Sequence, residues 1–225
     1  MTLIPHKTDA QLKTAVADEL AWTPSVNATH IGVAVIHGVV TLSGEVESYP
    51  EKRNAEKSAQ RVHGVTAIAD EVTVRPAWGR VNDTDIAREA GEALERAVDV
   101  PDGSVKAVVH EHVISLSGNV AWQYQREAAG RAVLYLRGVR DVSNLVTVKP
   151  VKPLVSPDGI KNSINAALVR NAQLEGKHTK VTADAHGGVT LEGTVHSWSE
   201  HRQASRLAWS APGVTKVTNH INVAN

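Results

Sequence analysis

Apolar residues fall at every fourth position in three stretches of the chain: Leu12, Val16, Leu20; Ile86, Ala90, Leu94; and Ile160, Ile164, Leu168. Spacing of i, i+4, i+8 lines one face of an α-helix, so each stretch is expected as an amphipathic helix. After each helix the period drops to two. Ile31-Gly-Val-Ala-Val-Ile36 and Val105-Lys-Ala-Val-Val109 alternate along a strand, and Val181 to Ala183 does so more weakly. A tight turn then leads to GVVTLSGEV (38–46), HVISLSGNV (112–120) and GGVTLEGTV (187–195). Within the first of these, Val40, Leu42, Gly44 and Val46 share one face of a strand.

A second helical pattern follows each of these strands. Its inward face reads Ala55, Ala59, Val62, then Ala129, Val133, Leu136, then Ala204, Ala208, Ala211. Such small residues let a helix sit close against a sheet. A Gly-Val pair ends each helix, at Gly64, Gly138 and Gly213, where a left-handed residue costs glycine little. Runs of alternating valines then read as a last strand: GVTAIADEVTV, GVRDVSNLVTV and GVTKVTNHINV.

Two sets of glycines keep these copies in register. Gly44, Gly118 and Gly193 lie 74 and 75 residues apart, and each second glycine follows 20 residues later. The chain is therefore three tandem copies of one unit. The predicted fold is α/β (α+β): three αββαβ modules over 8–76, 82–150 and 156–224, each a small three-stranded mixed sheet with two helices on one face. The other sheet face is left for a neighbouring repeat to cover. Asp9 and Asp83 are expected to cap the first helices of their modules, with Ser156 before Pro157 doing so in the third. Linkers fall at 75–82 and 149–157, and proline stiffens the second.

Composition narrows the functional classes. The chain of 225 residues has 24 basic and 24 acidic side chains, so no global field draws it to nucleic acid or anionic membrane. The three copies carry net charges of −2, −1 and +3, which makes the third the electrostatic candidate through Lys161, Arg170, Lys177, Lys180, Arg202 and Arg206. Without cysteine there is no disulfide, thiolate nucleophile or cysteine metal site. No apolar run is long enough to span a bilayer. The N-terminus lacks a cationic and then apolar leader, so a cytoplasmic protein is expected, with a processed periplasmic chain as the alternative.

Candidate chemistry is sparse. His110 and His112 lie two apart on a predicted strand and would face one side; with His37 or His186 they could hold a metal, but no close third ligand accompanies them. There is no phosphate-loop pattern, no recurring Ser/His/acid set, no cofactor motif, and no G-x-x-G clamp or basic stripe for nucleic acid. Gly44, Gly118 and Gly193 read as structural, ending a strand at a turn or close backbone approach. The sharper candidate lies in the second repeat, where the second strand meets the second helix: Trp122 and Tyr124 beside Arg126, with Tyr49 in copy one and Trp198 in copy three as the aromatics at the equivalent junctions. These rings suit a membrane interface or a ligand, with Arg126 for phosphate, or they pack between repeats. Trp78 in the first linker reads as inter-repeat packing.

These residues resemble the BON domain family, named for bacterial osmotic-stress and nodulation proteins. The resemblance rests on V-x-L-x-G-x-V followed by G-V-x-x-V-x-N-x-[ILV]-x-V. In copy two it runs through Val113, Ser115, Leu116, Gly118, Val120, Gly138, Val139, Val142, Asn144 and Val148, and in copy three through Val189, Leu191, Gly193, Val195, Gly213, Val217, Asn219 and Val223. Copy one carries Asp70 in place of the asparagine. The resemblance implies a non-enzymatic protein tied to osmotic stress and the cell envelope, with phospholipid or membrane binding. Potassium binding, as in one relative type, and a protein-interaction scaffold are the alternatives it leaves open.

Overall fold

A computed structural model of the chain describes residues 7–75, 81–150, 155–171 and 179–223. Trp78 and Lys177, both singled out above, lie outside the described residues. The first module runs α1 (Asp9–Trp22), β1 (Ile31–Ile36), β2 (Val39–Val46), α2 (Tyr49–Arg61) and β3 (Ala67–Val74). The second runs α3 (Asp83–Arg96), β4 (Val105–His110), β5 (Val113–Val120), α4 (Gln123–Val133), β6 (Asp141–Asn144) and β7 (Thr147–Val148). The third runs α5 (Pro157–Arg170), β8 (Thr179–Ala183), β9 (Gly188–Val195), α6 (Trp198–Trp209) and β10 (Lys216–Val223).

Each module forms a mixed sheet with its glycine-bearing strand in the centre. β2 pairs antiparallel with β1 and parallel with β3, and β9 stands in the same way between β8 and β10. In the second module the last strand is interrupted: β6 and β7 both pair with β5, and between them Val146 is buried while Leu145 faces solvent. The inward positions of α1, α3 and α5, four residues apart, are all buried, and they meet Val40, Leu42 and Val46, or their counterparts, across the sheet. The alanine face of the second helices is equally closed: Ala55, Ala59, Ala129, Ala204 and Ala208 are fully enclosed. Truncating a core leucine such as Leu42 to alanine at this density costs about 2–5 kcal/mol.

Among the described residues the sheet face away from the helices is not covered by a neighbouring repeat, contrary to the sequence expectation. Gly32, Ala34, Ser43, Lys106, Val108 and Ser117 lie exposed on it. The modules meet instead through the ends of their second helices, because those ends carry the large aromatic side chains.

The acidic residues at the first helices also act differently from expectation. Thr8, Asn82 and Ser156 are the N-caps, their side chains accepting from Gln11, Asp85 and Gly159 N–H groups. Asp9 and Asp83, one position later, reach across to the hairpin. Asp9 accepts from the backbone N–H of His37 (2.8 Å) and Gly38 (3.0 Å), and Asp83 from Glu111 (2.8 Å) and His112 (3.0 Å). Pro157 occupies the equivalent place in the third module, and there Asp184, inside the hairpin itself, accepts from His186 and Gly188. These turns need the help, because His37, Glu111 and His112 all have positive φ.

The hydrogen bonds from His37 and then Gly38 hold the Asp9 carboxyl below its ordinary pKa, and those from Gly188 and then His186 do the same for Asp184. A depressed carboxylate pKa supplies stability that is complete above the unfolded value and is lost as pH falls through the folded one. Asp9→Asn and Asp184→Asn are therefore expected to lower the melting temperature at neutral pH. The difference from wild type should close as the pH falls below the ordinary aspartate range, in thermal melts run across that interval.

Candidate functional site

The equivalent junctions of strand two and helix two do three different things. In the first module Tyr49 is the first residue of α2 and is only 6% exposed. Its hydroxyl lies beside the Asp141 carboxylate and the Val142 N–H of the second module, and burial first, then the Asp141 charge, raise its pKa. In the third module Trp198 begins α6, and its Nε1–H donates to the Val65 carbonyl of the first module at 2.7 Å. His201 stands edge-on to that ring at 4.8 Å, and burial, followed by the charge of Arg202, lowers its pKa and favours the neutral imidazole. Tyr49 is thus buried and Trp198 half-buried in contacts between modules, the packing alternative for these rings.

The contacts run head to tail: first module onto second, third onto first, and second facing third. Heterologous contacts of this kind close into a ring when the rotation allows it. At the second-to-third junction the contact is looser. A cleft of about 340 Å3 opens there, lined by Trp122, Gln123, Tyr124 and Glu127 from the second module and Arg206, Trp209 and Ser210 from the end of α6. Trp122 is 41% and Tyr124 53% exposed. Gln123 occupies the place of Tyr49 and Trp198 in the repeat. Its Oε1 is buried without a hydrogen-bond donor, while its Nε2 donates to Glu127 at 3.3 Å.

Trp122 also departs from the repeat at its backbone position. Ser48 and Ser197 are the N-caps of α2 and α6, and their hydroxyls accept from Glu51 N–H at 3.3 Å and Glu200 N–H at 3.2 Å. Trp122 is the N-cap of α4 and has no side chain able to accept that bond; Gln125 Oε1 instead accepts from Ala121 and Trp122 N–H.

The basic residues are mostly engaged. Arg126 is tied within its own module: its Nη2 donates to the Asn144 carbonyl at 3.0 Å, while Asn144 Nδ2 donates back to the Arg126 carbonyl. In the first module Lys52 and Asp70 make the corresponding link as an ion pair of 3.4 Å, which accounts for the aspartate in the repeat pattern. Lys180 pairs with Glu192 at 3.0 Å on the open sheet face. Arg202 hydrogen-bonds Gln60 of the first module, close to the like charges of Arg206 and Arg61. The Arg206 guanidinium pairs with no carboxylate among the described residues, and it lies on the cleft.

The histidine pair is also rearranged. His110 ends β4, but His112 sits in the turn, with its Nδ1 3.2 Å from the Gly138 carbonyl, so the two do not share a strand face. Among the described residues no group of three or more His, Cys, Asp or Glu side chains is placed to hold a metal. No helix among them is long and apolar enough to cross a membrane.

The BON domain model matches residues 8–76, 82–150 and 157–225, so nearly the whole chain is three BON domains, and the protein belongs to that family. The chain is similar to the osmotically-inducible protein Y of Escherichia coli (strain K12), at 34% identity over 145 residues, which is 62% of this chain and 70% of that protein. Among solved structures it is matched to the C-terminal domain of CdsD, a structural protein of the type III secretion system of Chlamydia trachomatis. That match has 13% identity, covers 97% of this chain and all of the other, and has a TM-score of 0.27, too low to bear on fold or function.

Sequence reasoning missed Gln123, Glu127, Trp209 and Ser210. Trp209 and Ser210 lie far along the chain from Trp122, and nothing local marks them as partners. The serine-to-tryptophan change at the cap position is visible in the aligned repeats and is a further local sign at the second junction, which the sequence already singles out.

Proposed function

We propose that this is a stress-associated BON protein that touches a phospholipid surface through the second junction, with Trp122 and Tyr124 entering the headgroup layer. The observation that carries this reading is Trp122 itself: a large ring, well exposed, at a helix cap where both sister modules keep a capping serine. Such a residue gives up a cap worth about 1 kcal/mol without gaining a closed contact of the kind Tyr49 and Trp198 make. Trp and Tyr are the side chains favoured at membrane interfaces, since their rings are apolar and their tips polar. The relationship to an osmotically inducible protein supports the stress context.

Electrostatics play a smaller part than the net charge of the third copy suggests, because Lys180 is paired and Arg202 faces the first module. Binding is therefore expected to be driven mainly by the rings and to weaken only modestly with salt. Co-sedimentation with phospholipid vesicles at low and physiological salt tests this. Wild type should pellet with vesicles, and Trp122→Ala combined with Tyr124→Ala should remain in the supernatant. Equal pelleting of both proteins would overturn the assignment of this surface.

A further inference from the structure

We infer that the cleft between α4 and α6 binds a zwitterion joining a primary ammonium to a phosphate, with phosphoethanolamine as the simplest form. This deepens the membrane reading by naming headgroup chemistry at the same junction, and it rests on that reading for the free rings of Trp122 and Tyr124. Four features of the cleft converge on such a ligand.

The first is Gln123. At the two closed junctions the equivalent side chains place their polar tips on groups of the next module. The Gln123 oxygen is buried and receives no hydrogen bond, so it is an acceptor waiting for a donor. Its amide orientation is fixed, because turning it over would set its oxygen against Glu127 Oε1, which now accepts from Nε2 at 3.3 Å. The second is Glu127, whose link to Arg131 is long at 3.8 Å and leaves its carboxylate available for a cation. The third is the ring set of Trp122, Tyr124 and Trp209, whose faces attract an ammonium. The fourth is Arg206, without an ion-pair partner among the described residues, whose planar guanidinium matches a phosphate.

A cation alone would meet Arg206 as a like charge, and a phosphate alone would meet Glu127. Only a molecule carrying both charges is favoured by the whole set. The Gln123 acceptor adds the finer discrimination: a primary ammonium can donate to it, and a quaternary ammonium has no N–H with which to do so. Leaving one buried group unpaired separates such ligands by about tenfold or more.

Titration calorimetry on the whole chain, without vesicles, tests the chemistry with phosphoethanolamine, phosphocholine, ethanolamine and inorganic phosphate. Phosphoethanolamine should bind about tenfold or more tightly than each of the other three. Glu127→Gln and Arg206→Gln should each weaken it by a similar factor. Gln123→Met keeps the volume and removes the acceptor; it should weaken binding yet melt no lower than wild type, which separates loss of a ligand contact from loss of folding. Phosphocholine binding as tightly as phosphoethanolamine, or no binding of phosphoethanolamine at all, would overturn the inference. Vesicles of phosphatidylcholine with and without phosphatidylethanolamine then identify the source. Stronger pelleting with phosphatidylethanolamine supports the lipid headgroup. Soluble binding without that gain supports the site with a free zwitterion as its ligand.

Discussion

Trp122→Ser is expected to lose most vesicle binding while folding at least as stably as Trp122→Ala. The serine restores the cap that Ser48 and Ser197 supply in the sister modules, where each hydroxyl accepts a first-turn N–H. Relative to alanine that cap is worth about 1 kcal/mol, and it should appear as a higher urea midpoint for the serine variant. Both variants remove the ring. Burial of a large aromatic at an interface contributes roughly 1.5–3 kcal/mol, so vesicle affinity should fall by at least about tenfold in each. Stability rising from alanine to serine while binding stays low in both would separate the two roles of this position. If the serine variant binds vesicles as wild type does, Trp122 is a packing residue of the cleft and not a contact.

Gly118→Ala is expected to be severely destabilising. Gly118 has a φ of 139°, and a Cβ placed there would lie 2.1 Å from the Ser104 carbonyl oxygen. The Ser104 carbonyl is backbone at the entry of β4 and cannot rotate away as a side chain would, so pairing of Val105 with Gly118 would have to break. The strained backbone alone costs about 1–3 kcal/mol, and the clash should bring the loss above roughly 4 kcal/mol. Gly91→Ala is the matched control. Gly91 lies within α3, where an added methyl would meet no atom within 4 Å, and alanine there should stabilise the helix by about 0.5–1 kcal/mol. Urea unfolding of the two variants should therefore move in opposite directions.

The same pair of glycines shows why so much of the fold is legible in the chain. Helix and strand periods report which side chains face a core, and they are local properties of the backbone. Spacing alone places Leu12, Val16 and Leu20 inward, with their counterparts in the other copies, and all are buried. Repetition adds what a single module would not give, since three copies with glycines in register leave one topology to satisfy. Close approach is a sound reason for Gly44, Gly118 and Gly193, but these residues sit inside the central strands and not at their ends.

Local pattern misleads where a side chain has two backbone partners within reach. Asp9 and Asp83 read as caps of their own helices because the helix is near in sequence; the hairpin turn, 28 residues away, has the more exacting N–H groups and takes them. Arg126 reads as a free cation because its partner, the Asn144 carbonyl, lies 18 residues on and carries no charge to advertise it.

The sequence by itself determined three BON modules, their elements, their core faces and the presence of an aromatic at each second helix, because period, repeat and propensity are written in neighbouring residues. Only the tertiary structure decided which of those aromatics remained free. Tyr49 and Trp198 are closed by backbone and carboxylate groups of other modules, and the cleft beside Trp122 is completed by Arg206, Trp209 and Ser210, over 80 residues away in the chain. Contacts between modules depend on where helix ends meet in space, and no period in the chain encodes that.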